Sequence, residues 1–161
     1  GRIVQLIVPL LLCSYERLEG PTLYLSPYLE KHRTRYTDLL LRVSQTGDYE
    51  SWVRFFLEAV DSSAVESIRR AEALLQLRED YRQRLQGKRA GAALLALVDG
   101  LFARPSVSLA HAAALLGGVT PAAASANVRK LVEAGILREV TGRKRDQRFV
   151  ASEIIRTAHS D

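Results

Sequence analysis

The chain has 161 residues, with 23 Lys and Arg against 18 Asp and Glu for a formal charge of +5, and 47% of its residues are hydrophobic. That length and apolar share fit an ordinary globular protein with room for two small domains, and no internal repeat or low-complexity tract argues otherwise. The single cysteine, Cys13, excludes an internal disulfide and fits a reducing compartment, the cytoplasm.

The charge is unevenly placed. Residues 1–86 carry 12 basic against 12 acidic side chains, whereas residues 87–161 carry 11 against 6, so the whole excess lies in the second part. In chain order, Gly1-Arg2 precede an apolar run from Ile3 to Leu12. This run is too short to cross a bilayer and lacks the flanks of a signal peptide, which predicts a buried core helix weakened by Pro9. After a break at Gly20-Pro21, residues Tyr28, Leu29, His32, Tyr36, Leu39, Leu40 and Val43 recur at helical spacing until Thr46-Gly47-Asp48 closes the element. A third helix starts near Tyr49. Its Trp52, Phe55, Phe56, Ala59 and Val60 form one apolar stripe, and the pattern resumes through Ile68, Ala71, Leu74 and Leu75 toward Leu85. From Arg69 onward the composition is that of a long, exposed, mixed-charge arm. The polar stretch 86–91, with two glycines, predicts a domain boundary, so that residues 1–86 form a helical body and 87–161 a second domain beginning with the helix 92–103.

That second domain reads as helix, tight turn, helix and hairpin. Ser108 caps an Ala/Leu-rich helix that Gly117-Gly118 stop, and Val119 fills the turn. Thr120-Pro121 starts a second helix, a capping hydroxyl followed by a proline whose missing N–H costs nothing at that position. Its Ala124, Val128, Leu131 and Val132 predict a buried stripe, leaving Ser125, Asn127, Arg129 and Lys130 outside. Gly135 ends it. Residues 136–140 alternate like a half-buried strand, Arg148-Phe149-Val150 supply a partner, and the polar tip between them carries Arg143, Lys144 and Arg145. Residues 153–158 predict a short closing helix. This order is the plan of a winged helix-turn-helix, in which the second helix of the turn enters the major groove and the wing follows phosphates or the minor groove. The candidate nucleic-acid residues are therefore Ser125, Asn127, Arg129, Lys130, Arg143, Lys144, Arg145 and Arg148, although winged helices also dock proteins and no side-chain set here dictates a base sequence. The fold class expected is mainly α, a helical bundle followed by a winged helix with a two- or three-stranded sheet.

Other constellations are weak. His32, His111 and His159 are scattered, without Cys or carboxylate at metal-ligand spacing, and His32 and His111 read as structural. Cys13, among Leu11, Leu12 and Tyr15, reads as a buried inert thiol, and Trp52, Phe55 and Phe56 as core.

The segments GRIVQLIVPLLL, LYLSPYLEKHRTRY and GDYESWVRFFLEAV resemble the C-terminal half of a Fic-family domain, and the tail looks like the winged helix often appended to such proteins. The family signature is H-P-F-x-D/E-G-N-G-R-x-x-R. Gly1-Arg2 match its final Gly-Arg, its second arginine falls on Gln5, and a paired tyrosine common in the family is here Tyr36-Thr37. The resemblance implies a protein adenylyltransferase, which moves AMP from ATP, with magnesium, to a hydroxyl of a target protein. It implies that Gly1 and Arg2 cradle phosphates, where exposed N–H groups and a guanidinium suit a polyanion. The signature histidine and the acidic residue that holds magnesium belong to the part of the motif that precedes Gly1. The 161 residues alone are thus expected to be inactive and to hold no cofactor, ATP and magnesium being expected for an intact parent. Three functions stay open: the C-terminal part of such a transferase, with the target protein and double-stranded DNA as partners; a non-catalytic DNA-binding transcriptional regulator whose helical body is a dimerisation or sensor unit, the oligomeric state, homodimer or not, staying open; and an interaction fragment that docks protein. None involves a membrane.

Overall fold

The structure, a computed structural model, describes residues 7, 10–17, 23–86, 91–143 and 145–159. The chain divides into two compact units, Gly1–Arg69 and Arg70–Asp161. It is mainly helical with one small antiparallel sheet, as expected. No helix among the described residues is long and apolar enough to cross a membrane.

In the first unit, α1 (Ser26–Lys31) and α2 (Arg33–Thr46) meet at His32, whose φ of −108° and ψ of 27° interrupt the helix. Gly47 ends α2 at a φ of 70°, a left-handed position in which its N–H reaches the Val43 carbonyl. The Asp48 carboxylate then accepts the Ser51 N–H at 3.2 Å and opens α3 (Tyr49–Leu85), a 37-residue helix. The core of this unit is Leu23, Leu25, Leu29, Leu39, Phe55 and Ala59, with Tyr28, Tyr36, Trp52 and Phe56 packed around it. Trp52 stacks on Phe56 at 5.3 Å, and Tyr28 packs on the His32 ring at 4.4 Å, so the aromatic stripe and His32 are structural.

The described part of the opening run, Ile7 and residues 10–12, departs from its expected burial, while residues 3–6, 8 and 9, Gln5 and Pro9 among them, lie outside the described residues. Residues 7 and 10–14 are helical, but Ile7, Leu10 and Leu11 are exposed, Leu12 alone packs against the core and Cys13 is half-buried. Leu40 on α2 and Ile68, Ala71 and Leu75 on α3 are exposed as well, against the stripes read from their spacing. Helical periodicity marks a face; burial also needs a surface opposite, and the helices among the described residues supply none.

The second unit takes the last turns of α3, then α4 (Ala92–Ala103), β1 (Ser106–Ser108), α5 (Leu109–Leu115), α6 (Pro121–Glu133), β2 (Arg138–Glu139), β3 (Arg148–Val150) and α7 (Ser152–His159). Its core is continuous: Tyr81 and Leu85 of α3, Leu94, Leu97, Val98 and Leu101 of α4, Ala112, Ala124, Val128 and Leu131 of the turn, and Phe149 and Ile154. The division at Arg69 therefore falls well before the polar stretch 86–91 read as a boundary, of which residues 87–90 lie outside the described residues. The sheet has the order β1-β3-β2, with Ser106 opposite Val150 and Ser108 opposite Arg148. β1 is an element that the sequence pattern did not reveal.

Charged contacts tie α3 into this unit. Arg78 Nε reaches Asp99 at 2.7 Å, Arg82 approaches the same carboxylate at 3.4 Å, and Arg84 makes a two-pronged contact with Glu153 on α7 at 2.8 and 3.3 Å. The Arg84 guanidinium holds the Glu153 carboxyl below its ordinary 4.5. A depressed carboxyl adds stability above the ordinary value and loses it as pH falls below it. Glu153→Gln is therefore expected to lower unfolding stability by about 1 kcal/mol at neutral pH. In urea unfolding the difference from the wild type should shrink below pH 4.5. A constant difference across that range would show that Glu153 acts through packing alone.

Candidate nucleic-acid interface

α5 and α6 form the helix-turn-helix. The Ser108 hydroxyl accepts the His111 N–H at 3.2 Å, and Thr120 accepts the Ala123 N–H at 3.3 Å, so both expected caps are present. Gly117 and Gly118 adopt φ of 79° and 78°, which makes the turn between the helices one that side-chain-bearing residues rarely follow. Gly118 N–H closes back on the Ala113 carbonyl at 2.9 Å.

Ala124, Val128 and Leu131 of α6 are fully buried, which fixes the face the helix turns outward. Val132 is not part of that stripe; at 38% exposure it sits on the flank, because it lies about 100° round the helix from Leu131. Arg129 is exposed, and Ser125, Asn127 and Lys130 are half-buried. Asn127 turns its amide onto its own helix, Nδ2 donating to the Ala123 carbonyl at 3.0 Å. The exposed residues of α6 are thus Pro121, Ala122, Ala126, Arg129, Val132 and Glu133, of which Arg129 and Glu133 alone can hydrogen-bond base edges.

The wing is built on Glu139. Its carboxylate accepts the Thr141 hydroxyl, the Thr141 N–H at 2.8 Å and the Gly142 N–H at 3.0 Å. Those bonds, the Thr141 hydroxyl foremost, hold the carboxyl below its ordinary value. The Val140 N–H continues the ladder to the Arg148 carbonyl at 3.0 Å, and Gly142 turns the chain at a φ of 62°. Ile136 and Leu137 are both buried, so the expected alternation over 136–140 gives way to a short strand at 138–139 with two consecutive core residues ahead of it. Arg143, Arg145 and Arg148 are exposed. Lys144 lies outside the described residues, as do the phosphate-cradle candidates Gly1 and Arg2.

The electrostatics of the two units differ, although Arg17 and Lys31 of the first also lack a carboxylate partner among the described residues. In the first unit Arg35 pairs with Glu58, Arg42 with Asp48 and Arg54 with Glu50, and along α3 the pairs with Asp80, Asp99 and Glu153 continue. In contrast, Arg129, Lys130, Arg143, Arg145 and Arg148 have no carboxylate partner among the described residues, and neither do Arg104 and Arg138, which the pattern of the sequence left out. Arg138 stands opposite Val150 and Arg148 opposite Ser108, so both project from the sheet face away from Phe149. The signal that could have found them was unmatched charge, since the stretch 104–150 holds few acids.

Among the described residues no group of three His, Cys, Asp or Glu side chains could hold a metal ion. No known family model matches the chain.

Removing the wing's internal anchor tests this construction. Glu139→Ala should speed amide exchange at Thr141 and Gly142 severalfold while leaving the α6 amides protected, as read by hydrogen-exchange NMR. Equal rates in both proteins would mean that the tip is ordered by something other than this carboxylate.

Proposed function

We propose that the tail binds the phosphate backbone of double-stranded DNA, and that the body is the C-terminal helical part of a Fic-type protein adenylyltransferase of the cytoplasm. The observation that carries the first part is the set of cations on α6, the wing and the sheet that have no carboxylate partner among the described residues. An arginine already bound to a carboxylate has little left to offer a phosphate; an unpaired one releases counterions when it makes the contact. The outward face of α6, small and apolar apart from Arg129 and Glu133, supports backbone binding with weak sequence preference.

The second part rests on the resemblance of the segments around Gly1-Arg2, Tyr28 and Trp52. The exposed apolar residues of the first unit, among them Ile7, Leu10, Leu11, Tyr49, Val53 and Leu57, support it, since they suit a helical bundle whose remaining layers lie elsewhere. On this reading ATP and magnesium serve the parent enzyme, and a target protein is its substrate. The described residues offer no cluster for the magnesium ion. The residues encoded ahead of Gly1 decide this part: a histidine seven positions before it, within the family signature, supports the reading, and its absence refutes it.

One observation favours the second reading, a non-catalytic regulator whose helical body dimerises. Tyr49, Val53 and Leu57 recur every four residues on the outside of α3, a spacing suited to helix pairing.

Charge reversal at Arg143, Lys144 and Arg145 is expected to weaken duplex binding by about 2 to 4 kcal/mol and to flatten its salt dependence by roughly 0.9 in log–log slope for each phosphate no longer neutralised. Fluorescence anisotropy with a labelled duplex at several salt concentrations measures both, and unchanged binding would remove the wing from the interface. A second expectation concerns the 161-residue chain by itself: incubated with labelled ATP, magnesium and protein substrates, it transfers no AMP. Labelled protein from a pure sample would overturn that.

A further inference from the structure

Beside the edge of the tail's sheet lies a notch of about 390 Å³ lined by Arg104, Ser106, Val107, Ser108, His111 and Arg148. Its composition sets it apart. The larger cleft of the first unit sets Arg35, Arg42 and Arg54 beside Asp38 and Glu50, and each of these arginines is already paired with a carboxylate, Glu58, Asp48 and Glu50 in turn. No carboxylate lines the notch, and Arg104 and Arg148 make no ion pair among the described residues.

The fold brings these groups together for identifiable reasons. Ser108 and Arg148 are directly opposed in an antiparallel pair, and Ser106 lies two residues along the same strand, so all three side chains stand on one face. Val107 and Phe149 take the other face and are buried, which locks that register. The Ala151 N–H donates to the Pro105 carbonyl at 2.8 Å and pins the chain next to Arg104 against the end of β3. The Ser108 oxygen is occupied as an acceptor by the His111 N–H, which leaves its own O–H to donate outward. Two guanidinium forks, an imidazole and two hydroxyls therefore face a common space as donors, the complement of a group that only accepts.

We propose that this notch is a phosphate-binding site, its ligand a phosphate of a duplex backbone or a free phosphate. In its backbone form the proposal rests on the DNA reading of the tail. Arg148 follows Arg145 by three residues, so the notch and the wing tip lie within about 10 Å of chain. One DNA strand can engage both.

The test uses the full chain, wild type, Arg104→Gln and His111→Gln, in two arms. Duplex affinity is measured against salt, and inorganic phosphate is titrated while the amide signals of Ser106, Ser108 and His111 are followed by NMR. Arg104→Gln is expected to weaken duplex binding about tenfold irrespective of sequence. It should also make the salt slope shallower by roughly 0.9. His111→Gln is expected to act in the same direction more weakly, and inorganic phosphate to move the three amides in the wild type but not in Arg104→Gln. Amide shifts with unchanged duplex affinity assign the notch to free phosphate, and weakened duplex affinity without shifts assigns it to the backbone diester. The proposal is overturned if both variants keep wild-type affinity and slope and phosphate leaves the amides unmoved. Should the wild type bind no duplex, the DNA reading falls and the phosphate titration alone decides the notch. Thermal midpoints equal to the wild type separate a removed phosphate ligand from impaired folding, and if one variant unfolds the other carries the comparison.

Discussion

The burial of Tyr81 and Leu85 beneath the helices of the tail is the contact on which the second unit turns. Both side chains have no solvent exposure, and without them the core formed by α4, the turn helices and Phe149 would open on one side. Truncating such residues costs on the order of 2 to 5 kcal/mol each, a large share of the stability of a domain this size. The charged clamp around them follows from the same packing. Once α3 lies against α4 and α7, Arg78, Arg82 and Arg84 face Asp99 and Glu153, and the ion pairs form where apolar burial has already offset the entropy of ordering the helices.

That clamp also shapes the electrostatic surface. The tail holds few acids, and two of them, Asp99 and Glu153, are taken up by arginines of α3, while a third, Glu139, is turned onto the backbone of the wing. Asp99, Glu139 and Glu153 are thus committed to structure, and the exposed Glu133 and Asp146 make no ion pair with the wing and sheet cations among the described residues. Arg104, Arg129, Arg138, Arg143, Arg145 and Arg148 are left on the outside with their charge unmatched among the described residues, in a domain whose apolar interior strengthens the field over its surface.

Sequence alone revealed what depends on near neighbours. The Ser108 and Thr120 caps, the glycines at 117, 118 and 135, and the reach of α3 from Tyr49 to Leu85 were legible because each is decided within a few residues. Features settled by distant partners were not. A three-residue strand such as β1 has no period to detect, and only its pairing with β3, far along the chain, makes it a strand. Burial of Leu10 and Leu11 was misjudged for a related reason: they have the composition of a core helix, but nothing local states whether another surface lies against them. The candidate interface was legible as basic charge, whereas the diversion of Asn127 to the Ala123 carbonyl and the convergence of Arg104 and His111 on Arg148 emerge only from the folded register.

The chemistry of α6 limits what DNA binding by this tail can accomplish. A helix whose exposed face offers only Arg129 and Glu133 to base edges makes few hydrogen bonds there, and each good bidentate contact that is missing forfeits roughly 1 to 3 kcal/mol of discrimination. Phosphate contacts remain, and binding of that kind typically has a Kd on the order of 10⁻⁴ to 10⁻⁶ M at physiological salt. In the proposed binding, contacts from the wing and from the notch beside β1 add to affinity and to salt dependence together, because both arise from counterion release, and neither adds selectivity. On the proposed reading, then, the tail concentrates the protein on DNA without choosing a sequence. Selection of a target must come from the surfaces of the body, where the exposed apolar residues of α3 offer the kind of contact that phosphate binding does not.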